Sequence, residues 1–410
     1  MKKGLVILLC LFLIPVLNVF SQENNNKTPF ERMMENKMKK MKEDKAAKPK
    51  GYDVDIAIYD PKIPPDPEIT EPIWFFDPRA DKILAKVQIF PKNNPWNEDI
   101  SALPVAKNSG KMIELINQIN HLEYNLDMGF VIVPPNLKKV YPASVGAPEV
   151  SEPGPYPIPE NIPIEGWPVG ADLKPTLEAL KSLQAGGRGD RHAMCLDPVN
   201  KKLYEFYQMK FDDGGWSPNC VSIFDLTSNK TRVEYSGCKS DRLGLTSTDA
   251  AGLPVMPAAA RYDEFLRGEI THALRFTVRN SRDAYVWPAT HFASNKTDLN
   301  FPRMGERFRL RSTFVTKNYH PQAKVILDAL KKYGMFMADN GGDWRISITP
   351  DPRWSIKQLN TLRQVGKNNF EVIVPTGPNE GPRAGEDNTK VDVKPGQAGK
   401  KKKKKKEAEE

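Results

Sequence analysis

Five carboxylates, three histidines, a tyrosine and a set of arginines lie on short segments between Gly189 and Arg311, and these are the side chains that could do chemistry. Hydrolysis of a sugar polymer needs one carboxyl to protonate the leaving oxygen and a second to act as base or nucleophile, roughly 5 to 10 Å away. Glu205, Asp249, Asp263, Glu264 and Glu269 are the candidates. In KLYEFYQMKF, Glu205 shares a strand face with Leu203 and Tyr207, where burial beside an aromatic would raise its pKa as a proton donor requires. The plainer alternative is a solvated strand carboxylate. Asp249, in TSTDAAGLP, is either a reacting carboxylate or the cap of a short helix.

Elimination would use other atoms. Tyr262 or His272 would move the proton, while Arg275, Arg307, Arg309 and Arg311 would neutralise a uronate carboxylate. His272 alternates with Ile270 and Leu274, so a core histidine held by a backbone carbonyl competes with an acid–base role. His291 opens a polar loop just after Tyr285 and Trp287, and Trp287 could stack on a sugar ring. A row of arginines on a strand is, equally, an ordinary solvated sheet face.

Other chemistries lack their signatures. There is no Gly-x-Ser-x-Gly elbow, no phosphate loop, no His-Glu-x-x-His and no dinucleotide fingerprint, so no cofactor is expected. Spacing does not support a metal site at His192, His272 and His291. Cys195, Cys220 and Cys238 have no Cys-x-x-Cys arrangement, and a Cys220–Cys238 disulfide is the expected pairing in an exported chain.

Export is expected from the first 21 residues, where Lys2 and Lys3 precede an apolar run from Leu5 to Leu17, with Val19 and Ser21 before a cleavage point at Gln22. No other segment approaches the length of a membrane span. The net charge of +9 resides in the ends, because residues 51–375 hold 39 basic and 39 acidic side chains. Residues 22–50 and 376–410 have the composition of disordered segments, and the second ends in a run from Lys400 to Lys406. Such a run attracts polyanions without reading a nucleic-acid sequence.

The elements that must position the candidates are mostly strands. Residues 51–84 form a Pro-rich lead-in to a β-rich domain over 85–375, with GPYPIPENIPIEGWP as a second extended stretch. Alternation in ITHALRFTV and RFRLRSTF predicts strands, as does Lys82–Phe90, and apolar stripes predict helices at Ser109–Ile119 and in PQAKVILDALKKYG. This pattern predicts an antiparallel β-sandwich, jelly-roll-like, with one or two peripheral helices.

The strings GDRH, TSTDAAGLP, RYDE, GEITHALRFTV, AYVWPATHFAS and ILDALKKYGMFMADNGGDW resemble a family of exported bacterial proteins, over roughly residues 85–375. The resemblance implies one secreted domain and brings no catalytic residue with it. Together these features point to a secreted protein acting on an extracellular, acidic or neutral polysaccharide, by hydrolysis or elimination. The alternative is a noncatalytic glycan-binding or matrix protein tethered through its basic tails.

Overall fold

The computed structural model describes residues 68–168, 175–212, 214–241 and 243–377. The chain divides into two units, Met1–Asp55 and Ile56–Glu410, and every described residue falls in the second. The expected signal peptide, the basic linker and the polylysine run lie outside the described residues.

Thirteen strands are formed among the described residues: β1 (Ile73–Trp74), β2 (Glu123–Leu126), β3 (Val131–Ile132), β4 (Ala193–Asp197), β5 (Lys202–Tyr207), β6 (Phe211–Asp212), β7 (Gly215–Trp216), β8 (Cys220–Asp225), β9 (Leu274–Val278), β10 (Arg307–Leu310), β11 (Met335–Asn340), β12 (Arg345–Ile348) and β13 (Phe370–Val372). One sheet runs β1, β3, β4, β5, β8; a second runs β13, β10, β11, β9, β12, β2; β6 and β7 pair separately. The protein is thus mostly β with helices added.

Purely antiparallel pairing is not what forms. β3 with β4, β9 with β11 and β2 with β12 are parallel, so both larger sheets are mixed. Parallel neighbours need long crossovers. Between β9 and β11 the crossover contains β10 and the helix Pro321–Lys332, and β2 and β12 are separated by most of the domain. Seven α-helical segments occur among the described residues, against the one or two expected.

Local chemistry explains where the predicted elements hold or shift. The expected strand over 82–90 gives way to a helix, Pro78–Leu84, because Asp77 accepts the Arg79 N–H at 2.8 Å as its cap and Pro78 occupies the first turn. The helix expected over Ser109–Ile119 ends at Leu115, and the Ser109 hydroxyl accepts the Val372 N–H at 2.9 Å. Pro321–Lys332 forms as predicted, burying Val325, Ile326, Ala329 and Leu330. Gly334 follows it at φ +68°, where a Cβ would sit 2.2 Å from the Phe308 carbonyl, so the chain requires glycine there.

The five-stranded sheet is buried on both faces. Met194, Leu196, Leu203 and Phe224 join the apolar cluster that contains Leu274, Phe276 and Trp344. Ala193, Cys195, Tyr204 and Phe206 instead pack under Tyr156, Ile162, Ile164 and Trp167, supplied by the Pro-rich stretch 154–168. Each of these larger side chains contributes about 1.5–3 kcal/mol by leaving water. Among the described residues no helix is long and apolar enough to cross a membrane.

Candidate functional site

The TSTDAAGLP motif forms a loop that ties the two larger sheets together. Gly252 turns it at φ +75°, donating to the Asp249 carbonyl at 2.9 Å, and a Cβ there would lie 2.1 Å from Thr290 Oγ1. On the five-stranded side, Glu205 accepts from Thr248 Oγ1 (3.0 Å) and from the Val255 and Met256 N–H groups (2.9 and 2.8 Å). On the six-stranded side, the Ala251 N–H donates to the Ala338 carbonyl at 2.9 Å. The Ala250 carbonyl accepts from His291 Nδ1 at 2.6 Å.

This loop delivers Asp249 to Arg275. The guanidinium donates twice to the carboxylate, both bonds 2.8 Å, and once to Ser347 Oγ at 2.6 Å. Strand β11 then adds a carboxyl through an irregularity. Period-two alternation would put Asp339 on the core face with Met335 and Met337, but the register against β9 shifts between Met337 and Asp339. Asp339 therefore pairs with Thr277 and shares the face of Arg275.

The surrounding wall is acidic. Asp127 follows β2, and Glu165 accepts the His192 N–H at 3.3 Å. Tyr207, at the end of β5, donates its hydroxyl to Asp190 at 3.2 Å and lies against the His192 ring, centroids 5.5 Å apart. Asp127, Glu165, Asp339, Arg345 and Tyr207 are partly exposed and Asp190 is exposed, while Arg275, Asp249 and His192 beneath them are buried. Acids crowded by protein yet partly open to solvent form a candidate cleft around Arg275.

The electrostatics follow from that crowding. Burial, then the charge of Asp249, pushes Asp339 up to about 7 against the opposing pull of Arg275. Burial, then Glu165, likewise raises Asp127 to about 7, with Arg275 and Arg345 opposing. Glu165 is raised by burial. Burial and the nearby Arg275 push His192 down to about 3, so its ring is neutral. Burial works against the charge of Arg275 itself, and Asp249 outweighs it. Asp127 Oδ1 and His192 Nδ1 are buried without a hydrogen-bond partner. Among the described residues no group of three or more His, Cys, Asp or Glu side chains has the geometry of a metal site.

No family model, curated protein or solved structure matches the chain. The cleft is therefore described from its own chemistry. Of the sequence candidates, Asp249 and Arg275 meet there, with Glu205 fully buried one residue behind and pushed up to about 7 by burial. Glu205 holds the loop, and His291 supports it from the other side with its pKa lowered by burial.

The others are placed elsewhere. His272 lies in a separate buried cluster, 2.9 Å from Glu264 Oε1, with Nδ1 against the Ala273 carbonyl at 2.7 Å. The Tyr262 ring packs on Trp354, centroids 4.9 Å apart, under the Arg353 guanidinium. Trp287 is half-buried on the segment leading to His291. The row Arg307, Arg309, Arg311 is not a solvated face. Arg307 is buried against Glu98 (3.1 Å) and the Tyr333 carbonyl (2.7 Å), and burial lowers it to about 10. Arg309 bonds Glu371 at 2.7 Å and the Ile100 carbonyl. Only Arg311 is largely exposed, 3.6 Å from Glu371. The alternation along β10 is real, but its polar face is lined by ion pairs in place of water.

The expected Cys220–Cys238 disulfide is absent, and all three described thiols are free. Cys220 Sγ faces the Ser247 carbonyl, while Cys238 Sγ lies 3.8 Å from Arg232, whose guanidinium forks onto Glu152 at 2.8 Å. That buried ion pair occupies the space by the thiols.

Sequence reasoning did not select Asp127, Glu165, Asp190 or Asp339, and it weighed His192 only as a metal ligand. Asp190 and His192 were visible in GDRH, and an acid ending a strand before the Asn340-Gly341-Gly342 turn was the available sign of Asp339.

Proposed function

We propose that this cleft is the acid–base site of an exported enzyme that cleaves a polysaccharide by hydrolysis, with Asp127 and Asp339 as its working carboxyls. One observation carries the reading: two carboxyls on partly exposed residues, both held near pKa 7, feel the charge of the same Arg275. Near neutrality such a pair supplies one proton donor and one base. Asp339 is the acid in this reading, because burial, Asp249 and Asp190 together raise it against Arg275 and the Asn340 N–H. Asp127 is the base, because both Arg275 and Arg345 favour its charged form. We read the two larger sheets as the layers of a sandwich, with the cleft at their seam.

Elimination from a uronate fits less well, since Arg275 is committed to Asp249 and Arg307 and Arg309 are buried in ion pairs. The test is the purified chain against neutral and acidic polysaccharides, reading new reducing ends and the absorbance of unsaturated uronates. Reducing ends that vanish in Asp339→Asn support the proposal, and cleavage that survives both Asp339→Asn and Asp127→Asn removes it. Export is checked by finding Gln22 as the N-terminus of protein in the medium. Binding of polyanions by the basic tails is checked by salt-sensitive retention on an acidic glycan.

A noncatalytic glycan-binding role is the second reading and has its own observation. A cavity of about 570 Å³ is lined by Tyr141, Pro142, Pro148, Pro153 and Tyr156, and Tyr141 is 75% exposed as a stacking face. Retention on a glycan column without products, lost in Tyr141→Ala, would favour it.

A further inference from the structure

The cavity of about 570 Å³ is a groove walled by Tyr141, Pro142, Val145, Pro148 and Pro153 over the buried Tyr156. The two tyrosine rings converge on Gly154, where a Cβ would lie 3.5 Å from Tyr141 and 3.2 Å from Tyr156. Apolar surface gathered in a concave site marks a place for a partner. A wall of aromatic and proline rings suits a polyproline II strand, which packs on it at little cost in conformational entropy.

The chain carries a sequence of that kind. DPKIPPDP, residues 60–67, places Pro61, Pro64 and Pro67 at intervals of three, the period of polyproline II. This segment lies outside the described residues and joins them at Glu68. Asn161 ties the groove's own stretch to that end of the chain: its side chain donates to the Pro72 carbonyl at 3.4 Å, and its carbonyl accepts the Trp74 indole N–H at 2.7 Å. Tyr156 is five residues from Asn161, so at most about 17 Å separates them. The seven residues from Glu68 back to Pro61 span about 22 Å in polyproline II, a reach of the same order. Charge is complementary as well. Glu149 and Lys239 are exposed at the groove, and the segment holds Lys62 between Asp60 and Asp66.

We propose that this groove docks the chain's own residues 60–67, with the prolines against Tyr141 and Lys62 toward Glu149. The docking is independent of the acid–base reading at Arg275, and it gives the groove an occupant other than a glycan.

Cys238 supplies the test, because it lines the groove as a partly exposed free thiol while Cys195 and Cys220 are buried. Its alkylation by iodoacetamide in the full chain, located by peptide mass spectrometry, reads whether the groove is covered. A tether supplies an effective concentration on the order of 1 mM, so a segment with a Kd of about 0.1 mM docks in roughly nine molecules of ten and slows labelling about tenfold. Pro61→Ser, Pro64→Ser and Pro67→Ser together should remove that protection, and the free peptide of residues 60–67 at about 1 mM should restore it. Tyr141→Ala should abolish the restoration. Ser144→Cys places a second reporter on the same lining. Labelling rates that ignore the proline substitutions at both reporters overturn the proposal. If a glycan oligomer then slows labelling, the groove is a sugar site; if protection rises with protein concentration, a second copy covers it.

Discussion

Two buried charge clusters built from the same residue types behave in opposite ways. Around helix Tyr262–Arg267, Arg261 and His272 enclose Glu264 at 2.8 and 2.9 Å, and Arg267 reaches Asp263 at 2.6 Å. Burial alone would raise Glu264, but Arg261 and His272 outweigh it and pull it down to about 2. Around Arg275 the acids outnumber the cations, and burial prevails: Asp127 and Asp339 rise to about 7. Cations matched to carboxylates make a strut. Carboxyls in excess, with one side open, make groups able to exchange protons at working pH. Burial of a charge therefore does not identify a site; the balance of its neighbours does.

That contrast can be broken by substitution. The largest expected effect is on turnover: Asp339→Asn should lower kcat on the cleaved glycan roughly 10²- to 10⁴-fold, read from reducing ends on protein of unchanged circular dichroism. Glu264→Gln should instead destabilise the fold by about 3–5 kcal/mol in denaturant unfolding, because Arg261 and His272 lose the buried carboxylate between them and Arg261 keeps only Asp263. Gly252→Ala should cost about 1–3 kcal/mol, since it strains a φ of +75° and collides with Thr290, and should reduce turnover by displacing Asp249.

The smallest effect has the most informative sign. Asp339 has a folded pKa of about 7, above the ordinary unfolded value of about 3.9, so it binds its proton more firmly when folded. Its ionisation lowers stability as pH rises from roughly 4 to 7, and the loss persists above. Asp339→Asn should then stabilise the protein by roughly 1–2 kcal/mol at pH 8, discounted for the open side of the cleft, and by little at pH 4. Glu264 runs the other way. With a folded pKa of about 2, its contribution is present above the unfolded value of about 4.3 and is lost as pH falls toward 2. Thermal unfolding of Asp339→Asn at about pH 4 and 8, and of Glu264→Gln at about pH 2 and 7, checks the opposite signs.

Local patterns were legible in the sequence where one physical term dominated. The stripe of Pro321–Lys332 and the alternation of Leu274, Phe276 and Val278 against Arg275 and Thr277 gave a helix and a strand in the right places. The strand expected over 82–90 failed because the Asp77–Pro78 cap starts a helix that alternation does not register. Asp249 and Arg275 were visible as candidates, though not as partners. Asp339 was hidden for a specific reason: its face is set by a one-residue irregularity opposite Thr277, which the alternation of MFMADN contradicts. Solvation of β10 was misjudged because Glu98 and Glu371, far away in sequence, supply the partners of Arg307 and Arg309.

The most direct measurement is a carboxyl-¹³C titration of the aspartates in the full chain, assigned with Asp127→Asn and Asp339→Asn. The resonances assigned to these two residues should titrate with apparent midpoints near 7. If both titrate below about 5, as ordinary surface aspartates do, the cleft holds no proton near neutrality and the acid–base account is contradicted.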